Sequence, residues 1–276
     1  MKEHASARLQ TLDRFMWPGG SEPKPPLNQN YVRMYGHNLC PFVARARWTF
    51  SCKQVAFQEC YMDLNDKAQW FKDFNTGLLP ILEFPTGEMA PESDIAIEYA
   101  LQTAGPEQGI NLIPSDPLQA ALMRVKIAEF NKRLPLAYAM NMSRFQDVEK
   151  IDAFVAENVP WYENLIETAG DGNWLMGTED LTLLDIYCGA VWDYFYVHLY
   201  RASAFSDGAQ RANLTQNSPR WIAYMERIRE HPKIAPVCMS LAAAEKHAER
   251  TRSWPQGQKC QLSLEVLSDG VFSDLP

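Results

Sequence analysis

The run Asn38-Leu39-Cys40-Pro41-Phe42 sets a thiol between a short apolar segment and the first stretch with helical spacing. A cysteine at a helix N-terminus meets unpaired backbone N–H groups and the positive end of the helix dipole, both of which favour thiolate over thiol. Pro41, at the first helical position, forfeits no hydrogen bond there. Locally, two outcomes stay open: a nucleophilic sulfur of lowered pKa, or an inert cysteine buried as a helix cap. Three residues on, where a dithiol redox motif carries its second cysteine, stands Val43. Cys40 therefore has no resolving partner in the motif. Such a thiol can attack a disulfide and become linked to it, and an outside thiol must release it.

Two further clusters could hold a peptide-like ligand. In Leu78-Leu79-Pro80-Ile81, a proline enters a strand after a glycine-containing loop. A cis bond there would present the backbone of Ile81 to a ligand, although a trans proline at a strand start is the commoner case. Pro91-Glu92-Ser93 precedes a helical run, with Ser93 placed as N-cap, so that the helix N–H groups can take a carboxylate and Glu92 an ammonium group. A plain helix cap explains Ser93 equally well. Lys67 could meet a second carboxylate, or simply be solvated.

The elements that position these groups alternate at first. A strand is expected over 31–35, a helix over 41–51 with Phe42, Val43, Ala46 and Phe50 at helical spacing, a strand over 55–62 and a helix over 67–74. Two short strands, 81–84 and 88–90, joined by Pro85-Thr86-Gly87, and a helix over 93–103 complete an α/β unit. After a Gly/Pro/Asn-rich loop at 105–117 the pattern is wholly helical, over 118–134, 147–168, 182–200, 219–231 and 234–250. Residues 18–30, with four prolines, mark what precedes as an appendage. The domains expected are thus 1–30, an N-terminal extension; 31–105, the α/β domain; 117–252, the all-helical domain; and 253–276, a tail lying over the bundle or loose.

Composition narrows the function. The 276 residues carry 26 Lys and Arg against 34 Asp and Glu, a net charge of −8, with the basic residues interleaved among acids. A nucleic-acid partner is not expected, for want of a basic face. No apolar run approaches the roughly 18 residues of a membrane span. Six cysteines show no metal spacing and no disulfide framework, so no metal is expected and reduced thiols are. The start lacks the apolar region of a secretory signal, which leaves a cytoplasmic address, or a mitochondrial one by its scattered basic residues.

NLCPFVARAR followed by NDKAQWFKDFNTGLLPILEFPTGEMAPESDIAIEYA resembles the N-terminal half of the omega-class glutathione S-transferases, whose usual run is a CPF-type cysteine, a KPEWF-like helix, a VPVLE-like turn and an ES pair. The resemblance is close over 31–117. It continues more weakly in NWLMGTEDLTLLDIYCGAVW, where Thr182 and Asp185 match a pair that caps a buried helix. It implies the glutathione S-transferase fold: a thioredoxin-like N-terminal domain, a helical-bundle C-terminal domain and a glutathione site between them. Glutathione would be the co-substrate, Cys40 the sulfur forming the mixed disulfide, and Lys67 a contact to the tripeptide. The backbone contact would belong to Ile81 or Leu79, Phe42 and Pro80 would line the same site, and Glu92 with Ser93 would hold the γ-glutamyl end. Implied activities are deglutathionylation, thiol transfer and dehydroascorbate reduction, on a small electrophilic, disulfide or dehydroascorbate-like substrate, in a homodimer. Ala44 departs from the family, which often has an acid there. Tyr138, Trp174 and Trp221 are candidates for the apolar substrate side.

Two other readings compete. Chloride-intracellular-channel proteins share a CPF cysteine and insert an apolar N-terminal helix into membranes, against which stand Arg45 and Arg47. A transferase-like subunit of a larger assembly, retained without turnover, could use Trp192, Trp221 and Trp254 or the tail as an interface. An arm or tail blocking the cleft would favour that second reading.

Overall fold

The computed structural model describes residues 11–134, 148–170, 172–202, 216–255 and 261–267. Five strands, β1 (Thr11–Trp17), β2 (Arg33–Gly36), β3 (Phe57–Met62), β4 (Ile81–Glu83) and β5 (Met89–Pro91), form one mixed sheet in the order β1-β3-β2-β4-β5. β1 and β2 run parallel to β3, β4 antiparallel to β2, and β5 antiparallel to β4. Parallel pairing of β2 with β3 demands a crossover, and α1 (Pro41–Cys52) supplies it. Side chains alternate across the sheet. Met34, Phe57 and Leu82 face Val43, Ala46 and Phe50 of α1, while Tyr35, Cys60 and Ile81 face Phe71 of α2 (Gln69–Asn75). α3 (Ser93–Ala104) covers the α1 side with Ala96 and Ala100.

The sheet departs from expectation at its N-terminal edge. Residues 11–17, expected in the extension, are a strand registered Phe15 with Cys60 and Trp17 with Met62. The Pro/Gly segment after it is tied down as well: Trp17 Nε1 donates to Pro23 O at 2.9 Å, the Gly20 amide to Asp66 O at 2.9 Å and Arg33 to Pro26 O at 2.7 Å. The partner strand lies some forty residues downstream, so no local pattern joins the two. Residues 1–10 lie outside the described residues.

In the second half, α4 (Pro117–Asn131), α5 (Val148–Glu167), α6 (Leu183–Phe195), α7 (Pro219–Glu230) and α8 (Leu241–Ser253) form the bundle. The helix expected over 182–200 ends at Phe195 and passes into a π-helical turn, Tyr196–Arg201. The one expected over 234–250 splits into a 3-10 turn, Ala235–Val237, and α8, which starts where Ser240 accepts a hydrogen bond from the Ala243 amide. Trp192 and Trp221 are buried in the bundle core and so supply no interface. As expected, the Asp185 carboxylate accepts from the Thr182 amide at 2.8 Å and hydroxyl at 2.7 Å, and also from Leu175 N and Tyr224 Oη.

The two halves share a core through α1. Ala44 and Trp48 belong to the bundle's apolar cluster, and Trp48 Nε1 donates to Val237 O at 3.1 Å. The approach is close because α6 carries Gly189, where an added Cβ would sit 2.7 Å from Ile228 Cδ1 and 3.0 Å from Trp48. No helix among the described residues is long and apolar enough to cross a membrane.

Candidate functional site

β2 ends at Gly36, and the next four residues turn the chain into α1. His37 organises this turn. Its carbonyl accepts from the Cys40 amide at 3.0 Å, and its Nδ1 accepts from the Leu39 amide at 3.2 Å. Nδ1 is therefore the unprotonated nitrogen, and Nε2 donates to Ser263 O at 3.1 Å. Asn38 is held on both sides: its carbonyl accepts from Arg47 at 3.0 Å and its Oδ1 from the Ser240 amide at 2.8 Å. Cys40 follows as the N-cap of α1, with extended backbone and no side-chain cap.

The sheet register brings the other candidates to this end. Tyr35, near the end of β2, pairs with Ile81 at the start of β4, and Ile81 pairs with Pro91 at the end of β5. Pro80 and Glu92 therefore stand beside one another, next to the turn that carries Cys40. The Leu79–Pro80 bond is cis. Leu79 and Phe42 pack against the apolar cluster containing Cys40, whereas the Ile81 side chain turns to the opposite face and leaves only its backbone on the site side.

Glu92, rather than Ser93, occupies the N-cap of α3, at φ +82°, and Ser93 is the first helical residue. The expected cap moves by one because Glu92 makes the sharp turn out of β5. Ser93 is 6% exposed, and neither it nor Glu92 makes a side-chain hydrogen bond or ion pair among the described residues. Lys67 precedes α2, and its stem crosses the backbone of Gly77, where an added Cβ would fall 2.5 Å from Lys67 Cδ. Gly77, at φ +70°, thus serves both the turn and the lysine.

Burial decides the state of the thiol. Cys40 is 8% exposed, and desolvation pushes its pKa above the ordinary value against the Val43 and Phe42 amides and the Arg47 guanidinium, which pull it down. The lowering expected from the helix terminus is present but outweighed. Arg47 is fully buried, donating to Val237 O at 3.0 Å and pairing with Glu59 at 3.5 Å. His37 is driven down to about 4, chiefly by burial, so it is neutral at physiological pH.

His37 was not singled out from the sequence, and Asn38 and Arg47, though named, were given no part in the site. The place of His37 between strand and cysteine was a readable signal, whereas Arg47 meets Asn38 and Glu59 only through the fold. Trp174 and Trp221, candidates for the substrate side, are instead buried in the bundle core, and Tyr138 lies outside the described residues. The second-domain rings that reach the Cys40 helix are Phe130 and Tyr187, at 5.7 and 4.7 Å from the Arg45 guanidinium. Tyr187 Oη also donates to Asp94 in the first turn of α3 at 2.9 Å. A separate cavity of about 520 Å³, lined by Lys53, Leu101, Gly105, Ile113 and Arg124, holds none of the candidate residues. No metal-binding group is found among the described residues.

A thioredoxin-like sheet with a strand-to-helix cysteine, joined through that helix to an all-helical bundle, is the glutathione S-transferase fold. The solved structure of a Tau-class glutathione S-transferase from mango, Mangifera indica, superposes with a TM-score of 0.64 at 21% identity, over 81% of this chain and 100% of that one. Residues 34–108 match the family described as "Glutathione S-transferase, N-terminal domain". Its likeness is to the omega class: glutathione S-transferase omega-1 of Mus musculus is 34% identical over 118 residues, 42% of this chain and 48% of that protein. The match thus spans about half the length of the omega relatives. Pyrimidodiazepine synthase of Drosophila melanogaster is 27% identical over 250 residues, 87% of this chain and 93% of that protein.

Proposed function

We propose that this chain is a glutathione-dependent thiol transferase working through a mixed disulfide on Cys40. The observation that carries the reading is the register of β2, β4 and β5, which gathers Cys40, the cis Leu79–Pro80 bond and the uncommitted Glu92 and Ser93 at one end of the sheet. Glutathione binds with its γ-glutamyl carboxylate at the N-terminus of α3, where Ser93 and unpaired amides stand ready. Its ammonium group lies at Glu92, its backbone along Ile81 beside Leu79 and Pro80, and its glycyl carboxylate toward Lys67, with Phe42 beside the sulfur.

The Cys40 thiolate attacks the glutathionyl sulfur of a mixed disulfide, forming the Cys40–glutathione disulfide and expelling the substrate thiolate, which takes up a proton. A second glutathione thiolate then attacks that disulfide, releasing oxidised glutathione and the Cys40 thiolate. The sum is one mixed disulfide and one glutathione converted to one substrate thiol and one oxidised glutathione. Dehydroascorbate reduction by two glutathiones fits the same sulfur. A homodimer and a cytoplasmic address accompany this reading by resemblance alone.

The rival, a transferase-like subunit without turnover, has two observations in its favour: the sulfur is nearly buried, and a C-terminal segment is bonded to His37 in the same turn. Glutathione-dependent reduction of a small mixed disulfide, measured for the protein and for Cys40→Ser, separates the two. Turnover lost in the variant supports the transferase; no turnover in the unaltered protein gives the subunit reading.

A further inference from the structure

Residues 261–267, a described part of the tail, pack at the cysteine end of the sheet domain, against both halves of the molecule. The segment lies along the loop that follows β3: Leu64 N donates to Leu262 O at 2.9 Å, Gln261 N to Asn65 Oδ1 at 2.9 Å and Asn65 Nδ2 to Gln261 O at 2.8 Å. Asp63 then accepts from the Ser263 hydroxyl and the Leu264 amide, each at 3.0 Å. His37, which builds the Cys40 turn, donates to Ser263 O. Leu262 packs both against the sheet cluster that contains Cys40 and against the bundle cluster, and Val266 and Leu267 are buried in the bundle. The segment thus fastens to both domains at the ends of β2 and β3, where the reactive sulfur emerges.

We infer that residues 261–267 are a strap that closes the cysteine end of the cleft, and that Cys40 becomes available to a disulfide only when the strap lifts. Three observations converge on this. The sulfur is nearly buried, and the turn that carries it is bonded to the segment through His37 and Ser263 O. Residues 261–264 are held mainly by hydrogen bonds to the loop after β3, while Val266 and Leu267 anchor the segment in the bundle, so its first half can lift about that anchor without opening the bundle. Its apolar contact nearest the site, Leu262, is only partly buried. The buried thiol of raised pKa is then the closed state of an enzyme, and the observations that favoured a subunit without turnover become a form of control. The inference rests on Cys40 being the reacting atom of the proposed transferase.

The test is the rate at which iodoacetamide alkylates Cys40 in the full chain, followed by mass spectrometry of the cysteine peptides and requiring no glutathione. Leu262→Asp removes the apolar contact, and Leu264→Pro removes the amide that Asp63 holds. Each is expected to raise the Cys40 rate about tenfold or more while Cys52 and Cys188, buried elsewhere, stay protected. A Cys40 rate that is unchanged in both variants, or that rises only in step with Cys52 and Cys188, overturns the strap. A variant whose Cys40 alkylates faster yet does not turn over would uphold the strap and remove the thiol-transfer reading, so the two ideas fail separately.

Discussion

Helix N-termini are treated differently in the two domains. In the bundle, α4 begins at Asp116, which accepts from Leu118 N at 2.8 Å, α8 at Ser240, and α6 at the Thr182–Asp185 pair. In the sheet domain, α1, α2 and α3 begin at Cys40, Ala68 and Glu92, none with a side-chain cap. The bundle satisfies its first amides with its own side chains, in the interior at α6 and at the surface at α4. In the sheet domain those of α1 lie at the Cys40 sulfur, and those of α3 are where the proposed glutathione carboxylate would bind. Stability and binding therefore draw on the same kind of group, used in opposite ways.

Removing the internal satisfaction should cost most. Asp185→Ala strands the Leu175 and Thr182 amides and the Tyr224 hydroxyl in the core, and urea unfolding should show a loss of roughly 3 to 5 kcal/mol. The same substitution made where the first amides are already free, at Ser93→Ala, should leave stability within about 0.5 kcal/mol and weaken glutathione binding about tenfold by calorimetry. Equal destabilisation by the two would break the contrast.

Acid probes both domains at once. His37 on the sheet side and His198 in the bundle, where Tyr194 O bonds its Nδ1 at 2.7 Å, both have pKa values lowered to about 4, burial being the main cause. Each imidazole stays neutral in the folded chain to about pH 4 but takes a proton near 6.5 once unfolded. The unfolded state binds more protons in that interval, so stability is complete above it and falls as pH drops. The loss should approach roughly 3 kcal/mol per histidine by pH 4. Chemical denaturation from pH 7 to 4 measures the sum, and His37→Asn or His198→Asn should flatten its own share.

A smaller effect sharpens the point about Glu92. A non-glycine residue at φ +82° is strained, so Glu92→Gly should raise stability by about 1 kcal/mol in thermal unfolding while weakening glutathione binding. Smaller still, Glu265→Ala removes an ion pair between Arg250 and an exposed carboxylate and should change stability by less than about 0.5 kcal/mol in the same measurement.

What could be read from residues alone was local. The Cys40-Pro41 helix start, the Pro80 turn, the Glu92-Ser93 entry to α3 and the Thr182–Asp185 cap each depend on side chains a few positions apart. β1 escaped because Phe15 and Trp17 gain their partners only when β3 comes alongside. The balance at the thiol was illegible for a related reason: the helix terminus acts over one turn, whereas the desolvation that outweighs it comes from residues brought in by the fold. Periodicity could not foresee the π-helical turn at Tyr196–Arg201, which keeps nearly the same apolar spacing as the α-helix before it. The placement of Gln261, Ser263 and Leu264 against Asn65, His37 and Asp63 joins residues about two hundred positions apart, beyond any pattern in the chain.

β1 has one more consequence. By taking the outer side of β3 it leaves the sheet with two borders, and both are poor templates for another strand. On one side β1 carries a register irregularity between Thr11 and Asp13, and on the other β5 is three residues long and ends in Pro91, which has no amide to donate. Strand addition from a second copy is therefore disfavoured at both borders, and at one of them the obstacle is the same short hairpin that delivers Glu92 to its helix.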